Sequence, residues 1–314
     1  GLNNFIQNKI PEINNIIDLS TLKNKRIGID TSIFLYKYKY NNRNFLEGFI
    51  KQIYRLRINN IIPIYVFDGK PPKEKNFTLK LRKNKKLLYF NNINKLEKQK
   101  LTCNSLYEKI LLNTQIEDIK KKIVTITKND IDELKYLLNI LGVSFIQSET
   151  EADFLFSSLY KQNYIDMVMS EDNDIIVGGT EKLIKKFNIY SNKVIVYDLN
   201  MILTKLEINK TQWIHLCILM GCDYCQKIPN LDGNSCLKLV KNNTINTILR
   251  DKLKLTEENI ICFKKAKTLF SINTNINLKI NKIKPDIKIM TNFIETKTNL
   301  SKNSIQKIIT VINN

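Results

Sequence analysis

Histidine is almost missing from this chain of 314 residues: the only one, His215, sits in the apolar stretch Trp213-Ile-His-Leu-Cys217, which reads as a packed helix. An ordinary Ser-His or Cys-His nucleophile is thereby excluded. Glycine is scarce as well, with nine residues, and no Gly-rich loop of the Walker type cradles a nucleotide's phosphates. No apolar run approaches the ~18 residues of a membrane span, and the opening Gly1-Leu-Asn-Asn-Phe5 is too polar for a secretory leader. There is no Pro/Gly/Ser-rich linker and no internal repeat. Six cysteines without a leader are expected to be reduced thiols inside a cell. Cys222-Asp-Tyr-Cys225 has redox-motif spacing without thioredoxin-like surroundings, so packed thiols are the simpler reading.

What the chain has in excess is positive charge. Fifty Lys and Arg against 30 Asp and Glu give +20 and a pI near 9.5, enough for a long-range field that attracts polyanions. With no membrane segment, nucleic acid is the natural partner. Heavy use of Asn, Ile and Lys explains part of that excess, but not where the acids fall. At 43% hydrophobic, the chain can bury a full core as one large domain or two.

Three apolar runs end in acid: Arg26-Ile-Gly-Ile-Asp30, Ile62-Pro-Ile-Tyr-Val-Phe-Asp68 and Met167-Val-Met-Ser-Glu-Asp172. Each reads as a buried strand that delivers a carboxylate at its carboxyl end. Helical spacing lies between them, at Phe45, Leu46, Phe49, Ile50, Ile53 and Leu56 and again over Ile131–Leu141, so βαβ units and a parallel sheet follow. Over 73–128, Lys and Arg outnumber acids 15 to 5, with Phe77, Tyr89, Phe90 and Tyr107 interspersed, a composition that fits equally a solvated charged insertion or a basic helical element that grips a strand. From 275 on, the pattern predicts a peripheral helix or two with irregular segments.

Further acids stand at Glu149-Thr-Glu151-Ala-Asp153, Asp172-Asn-Asp174 and Asp223. Thr150 and Asp153 have capping-box spacing, predicting a helix near Glu151 with Ala152, Leu155, Phe156 and Leu159 inward. Asp172 and Asp174, two apart, point one way in extended chain. Seven carboxylates, Asp30, Asp68, Glu149, Glu151, Asp172, Asp174 and Asp223, can thus converge. So many anions repel unless cations neutralise them. Hard divalent ions take oxygen ligands and pair with phosphate oxygens, and two of them ~4 Å apart suit phosphodiester hydrolysis.

The blocks Val66-Phe-Asp-Gly-Lys-Pro-Pro72, Glu149-Thr-Glu-Ala152, Ser170-Glu-Asp-Asn-Asp174 and Leu219-Met-Gly-Cys-Asp-Tyr-Cys225, in this order and spacing, resemble the flap endonuclease and XPG-type structure-specific 5′ nuclease family. The likeness runs from Gly1 to near Ile245. It implies an α/β, PIN-like core with a parallel-rich sheet flanked by helices, a helical arch, and a helix-hairpin-helix or two-turn-helix module for duplex DNA. The divisions expected are 1–128 with the arch at 73–128, 129–225, and 226–314, in one compact catalytic domain. The resemblance implies two Mg²⁺ ions, replaceable by Mn²⁺. Asp30, Asp68, Glu149 and Glu151 serve one; Asp172, Asp174 and Asp223 serve the other. It implies a basic catalytic pair at Lys75 and Arg82, whose separation of seven residues is two helical turns. Tyr36 matches an aromatic that stacks on a flipped or terminal base, and Gly1, Gly233, Asn234 and Ser235 complete the DNA contacts. The implied activity is 5′-flap endonuclease and 5′→3′ exonuclease on nicks, gaps or ends, in replication, repair or recombination. A monomer acting on such DNA in the nucleus, or wherever DNA is replicated, is the corresponding expectation. The alternatives are a 5′→3′ exoribonuclease or PIN-type RNase, and a non-catalytic DNA-binding scaffold.

Three departures accompany the likeness. Pro229-Asn-Leu-Asp-Gly233 has Asn230 and Asp232 at the hairpin's glycine positions, which weakens an implied K⁺ site. Gly233, Asn234 and Ser235 still begin a helix that can meet phosphate. The stretch from Asp30 to Asp68 is short for the wedge that opens a junction and holds a 3′ flap. Gln306 and the final Ile308–Asn314 lack the paired aromatics of a sliding-clamp motif.

Overall fold

Seven strands form one sheet among the described residues: β1 (Ile16–Asp18), β2 (Arg26–Asp30), β3 (Ile62–Phe67), β4 (Phe145–Gln147), β5 (Met167–Met169), β6 (Lys182–Lys185) and β7 (Lys193–Asp198). The computed structural model describes residues 1–40, 44–272 and 284–313. Strand order is β1-β7-β6-β5-β2-β3-β4, parallel from β6 to β4 and antiparallel around β7. β2 is central, pairing with β3 on one side and β5 on the other, with Gly28 opposite both Ile64 and Val168. The chain therefore reverses its winding at β2, where ligands of open α/β sheets bind beyond the carboxyl ends. All three acid-terminated runs meet there.

Helices cover both faces. The first seven are α1 (Leu2–Lys9), α2 (Thr31–Tyr40), α3 (Phe45–Ile58), α4 (Asn76–Thr102), α5 (Leu106–Lys121), α6 (Lys128–Ile140) and α7 (Ala152–Lys161). Then come α8 (Asp174–Val177), α9 (Leu199–Leu206), α10 (Lys210–Leu219), α11 (Gly233–Asn242), α12 (Glu257–Phe270), α13 (Ile287–Lys297) and α14 (Lys302–Asn313). Alternation in the strands divides the core: Ile64, Val66 and Val168 join side chains of α1 and α7 to α12, while Tyr65, Phe67, Met167 and Met169 join those of α2, α3, α6, α13 and α14. The stripe of α3 is buried at all six positions that the helical spacing picks out, and Asn44 caps it by accepting from the Leu46 N–H.

The basic region is a helical hairpin of α4 and α5 that touches itself more than the body. Ile93 and Ile116 are its buried residues, whereas Leu87, Leu88, Leu101, Leu106 and Tyr107 remain exposed. The terminal helices are less peripheral than their composition suggests. Met290, Ile294, Ile305, Ile308 and Ile312 are buried because α13 packs on α6 and α14 on α3. The Asn- and Lys-rich stretch 273–283 lies outside the described residues.

Two local expectations are corrected. Helix α7 starts at Ala152 with Glu151 as N-cap and no side-chain cap bond, so the Thr150–Asp153 box does not form. Asp174 opens the short α8, and its N–H donates to Asp172 Oδ1 at 2.9 Å; a turn, not extended chain, brings these two acids together.

Glycine is required just beyond β3. The Gly69 N–H donates to Thr150 O at 2.6 Å and Lys70 N–H to Glu149 O at 3.0 Å, pressing this strap against the segment before α7. A Cβ on Gly69 would lie 2.2 Å from Ser148 O and 2.4 Å from the Glu149 carbonyl. Gly69→Ala should therefore destabilise the fold by about 1–3 kcal/mol, the usual cost of forcing atoms into a packed contact. An unchanged denaturation midpoint would show that the two segments part freely.

Candidate active site

The acids meet through a relay of short hydrogen bonds. Asp30 ends β2, 6% exposed, with Oδ1 accepting from Ile33 N–H at 3.2 Å and Oδ2 from Ser170 Oγ at 2.7 Å. Ser170 Oγ in turn accepts from the Asp172 N–H at 3.0 Å. Across the strap, Asp68 Oδ1 accepts from Ala152 N–H at 2.8 Å, a free amide at the start of α7 where a negative charge is favoured. Strand ends thus supply the carboxylates, and backbone N–H groups fix their rotamers.

Lys75 and Arg82 enter from the base of α4. The Lys75 ammonium is 9% exposed, pairs with Glu151 Oε1, and lies 3.0 Å from Asp223 Oδ2. Arg82 Nη2 reaches the same Asp223 oxygen at 2.9 Å. Tyr224 Oη donates to the other Glu151 oxygen at 2.6 Å, and Thr78 Oγ1 donates to Asp223 O at 2.8 Å. Glu151 and Asp223, assigned to different ion sites by resemblance, share one lysine here. Burial alone would lower the Lys75 pKa, but the hydrogen bonds and charges of Glu151 and Asp223 outweigh it and raise it.

Electrostatics shows how crowded the remaining acids are. Burial, then the charges of Asp68 and Asp172, pushes the Asp30 carboxyl up to about 7 against its hydrogen bonds from Ser170 and Ile33. Burial, then Asp172 and Asp223, pushes Asp174 up to about 8. Asp153 rises well above the carboxylate range through burial and the charges of Asp172, Asp30, Asp68 and Asp174. The capping reading had removed Asp153 from the site; its place two residues beyond Glu151, in an alternating acid run, was the signal. Ser170 and Tyr224 also escaped notice, although both lie within recognised blocks.

The gathering is incomplete. Glu149 is exposed, and its carbonyl, not its carboxylate, is tied to the strap. Among the described residues, no three acid, histidine or cysteine side chains converge tightly enough to hold an ion. Lys75 and Arg82 supply the positive charge at Glu151 and Asp223. The all-oxygen donors, with two carboxyls driven toward neutrality by burial and then by their neighbours' charges, fit hard divalent ions by chemistry.

The remaining candidates are spread around this centre. Tyr36 is 51% exposed on α2, six residues beyond Asp30. Gly1, Gly233 and Asn234 line one cleft together with Lys9 and Lys227. Ser235 N–H donates to the Asp232 carboxylate at 2.8 Å, so Asp232 caps α11 and occupies an amide that had been expected to meet phosphate. Asn230 adopts a positive φ of 59°. His215 is a buried residue of α10, its pKa lowered to about 4 by burial and then Lys267. The six cysteines are free thiols, Cys217 and Cys236 buried and the other four half-buried.

Family models match most of the acid-bearing chain: the XPG N-terminal domain over residues 1–88 and the XPG I-region over 142–223. The chain belongs to the XPG nuclease family. This XPG-family chain is 26% identical to flap endonuclease 1-A of Sorghum bicolor, over 98% of itself and 84% of that protein. It is 29% identical to flap endonuclease 1 of Theileria annulata, over 98% of itself and 62% of that longer protein. Its fold matches the catalytic core of Rad2 in complex with a DNA substrate with a TM-score of 0.71 at 20% identity, covering 98% of each chain. Flap endonuclease-1 from Methanococcus jannaschii matches with a TM-score of 0.69 at 22% identity, covering 95% of each. The α/β, PIN-like fold expected from the sequence is therefore present.

The crowded acids predict a pH dependence. Unfolded, Asp30 and Asp174 lose their protons near 3.8; folded, they keep them to about 7 and about 8. Between those values the folded state holds more protons, so stability falls as pH rises. In EDTA the thermal midpoint should drop from pH 5 to pH 8, and Mg²⁺ should raise it more at pH 8 than at pH 5. A midpoint flat in pH and indifferent to Mg²⁺ would contradict the crowding.

Proposed function

We propose that this chain is a Mg²⁺-dependent, structure-specific 5′ nuclease that hydrolyses DNA phosphodiester bonds, as an endonuclease at 5′ flaps and a 5′→3′ exonuclease at nicks, gaps or ends. The observation that carries this reading is the mutual charge crowding of Asp30 with Asp68 and Asp172, and of Asp174 with Asp172 and Asp223, beyond the carboxyl ends of the central strands, with Lys75 and Arg82 paired to Asp223. Family membership and a net charge of +20 support it.

In this reading Asp30, Asp68, Glu149 and Glu151 hold one Mg²⁺ and Asp172, Asp174 and Asp223 the other, some through water. When bound, the ions supply an activated water and neutralise the departing oxygen. Asp153, buried among these acids, adds to the crowding that the ions would relieve. Ser170 keeps Asp30 and the Asp172 backbone in register. Lys75 and Arg82, on the approach to the acids, stabilise charge that builds on the scissile phosphate. As DNA enters, Lys75 exchanges its carboxylate partners for phosphate oxygens. Tyr36 stacks on a base beside the cut. Gly1, Gly233 and Asn234, with Lys9 and Lys227, border a cleft suited to a duplex backbone, while Asp232 keeps the Ser235 amide to itself and disfavours phosphate at that position.

Labelled flap, nicked, gapped and blunt duplexes, and single-stranded RNA, compared with Mg²⁺ and with EDTA, test the assignment. Cutting of DNA with Mg²⁺ alone is expected, and activity that survives EDTA would sink the metal mechanism. Asp172→Ala should abolish turnover and leave substrate binding within about tenfold, since only transition-state stabilisation is lost. Lys75→Ala and Arg82→Ala should each slow cleavage about 10²-fold or more, as when one charge-stabilising donor is removed. Near-normal rates would take both residues out of the mechanism.

A further inference from the structure

Lys185 ends β6 and is only 6% exposed. It stands on the same face as Leu183, toward the apolar layer that holds Tyr197. Its ammonium lies 5.2 Å from the centre of the Tyr197 ring, and that ring is fixed: Tyr197 Oη accepts from Gln7 Nε2 and donates to Asn3 Oδ1, each at 3.1 Å. Taking an ammonium out of water is costly unless its protons meet acceptors. Two are met, Glu171 O at 2.9 Å and Asn173 Oδ1 at 2.7 Å. Neither acceptor is charged, so ion pairing does not account for this lysine.

Both acceptors belong to the turn that carries Asp172 and Asp174. Asn173 is the N-cap of α8, where an asparagine ordinarily accepts from an amide of the first turn. Its oxygen is instead given to Lys185, and α8 has no side-chain cap bond. The flanks of the turn are tied to β6 as well: Ser170 N–H donates to Ile184 O at 3.1 Å, and Lys186 N–H, at a φ of 56°, to Glu171 Oε1 at 2.9 Å. Between these ties the bonds of Asp172 are local, its N–H donating to Ser170 Oγ at 3.0 Å and its Oδ1 accepting from Asp174 N–H at 2.9 Å. Burial lowers the Lys185 pKa while the charges of Glu171 and Asp172 oppose that lowering, so the ammonium lies within the field of the acid turn.

We propose that Lys185 is a positioning residue for the metal centre: by gripping Glu171 O and Asn173 Oδ1 it sets the turn that presents Asp172 and Asp174 together to a divalent ion. The inference rests on the nuclease reading and deepens it. Lys185 acts through Asn173 and the backbone, as the outer partners of metal ligands do elsewhere. Without the grip, the Asn173 side chain turns to cap α8, and the backbone between the two acids relaxes with it.

The test titrates Mn²⁺ into the whole chain, reading bound ion by electron paramagnetic resonance, and follows flap cleavage in Mg²⁺ alongside. Lys185→Met, which keeps the bulk and removes the donor, should weaken Mn²⁺ binding about tenfold or more and lower kcat by a similar factor, the usual loss when an outer partner of a metal site is removed. KM, and flap binding in EDTA, should stay within about twofold. Asn173→Ala, at a half-buried position, should behave alike and keeps the test open if Lys185→Met fails to fold. The double variant should be no worse than either single one, because both break the same contact. Lys185→Arg should recover most of both losses, since a cleft of about 240 Å³ bordered by Asn3, Gln7, Asn173 and Tyr197 leaves room for the larger head. Mn²⁺ affinity and kcat within about twofold of wild type in the single variants, or losses that add in the double one, would overturn the positioning role alone. A wild type that neither binds Mn²⁺ nor cuts DNA would remove the nuclease reading, and the role of Lys185 with it.

Discussion

Mutual repulsion among carboxylates is the constraint around which this molecule is arranged. Asp30, Asp68, Asp172 and Asp174 are delivered to one end of the sheet by strands whose own side chains are locked in two apolar layers, so the acids cannot drift apart without unpacking the core. The protein answers the repulsion in three ways. It lends hydrogen bonds from Ser170, Ile33 and the first turn of α7, it lets some carboxyls keep their protons, and it inserts Lys75 between Glu151 and Asp223. Each answer is reversible. An arrangement of this kind is poised to exchange protons and ammonium for other cations, which a rigid salt-bridge network would resist.

The same constraint explains the charge distribution on a larger scale. A chain with net charge +20 gathers acids at the site, while α4 and α5 hold an excess of lysine outside. Such an outer field attracts polyanions.

Much of the fold was legible because strand and helix periods leave a plain imprint. The six buried positions of α3 follow helical spacing, and the runs ending in Asp30 and Asp68 form neighbouring strands. The ordered blocks carried the family as well. What escaped depended on contacts between residues far apart in sequence. Nothing in Lys75 announces that it will bridge Glu151 and Asp223, 76 and 148 positions away along the numbering. Asp153 misled because a capping box and an acid aimed at the site share the same local spelling, and only the start of α7 at Ala152 separates them. The burial of α13 and α14 was hidden because their isoleucines find partners on α3 and α6, not in adjacent chain.

The hairpin of α4 and α5 is fastened by few buried side chains, chiefly Ile93 and Ile116, and by polar ties at its two feet. Its local opening free energy is accordingly small beside that of the body. The hairpin is thereby expected to open as its own cooperative unit. Such opening requires no disruption of the sheet, so its rate is set by a pair of helices instead of by global unfolding.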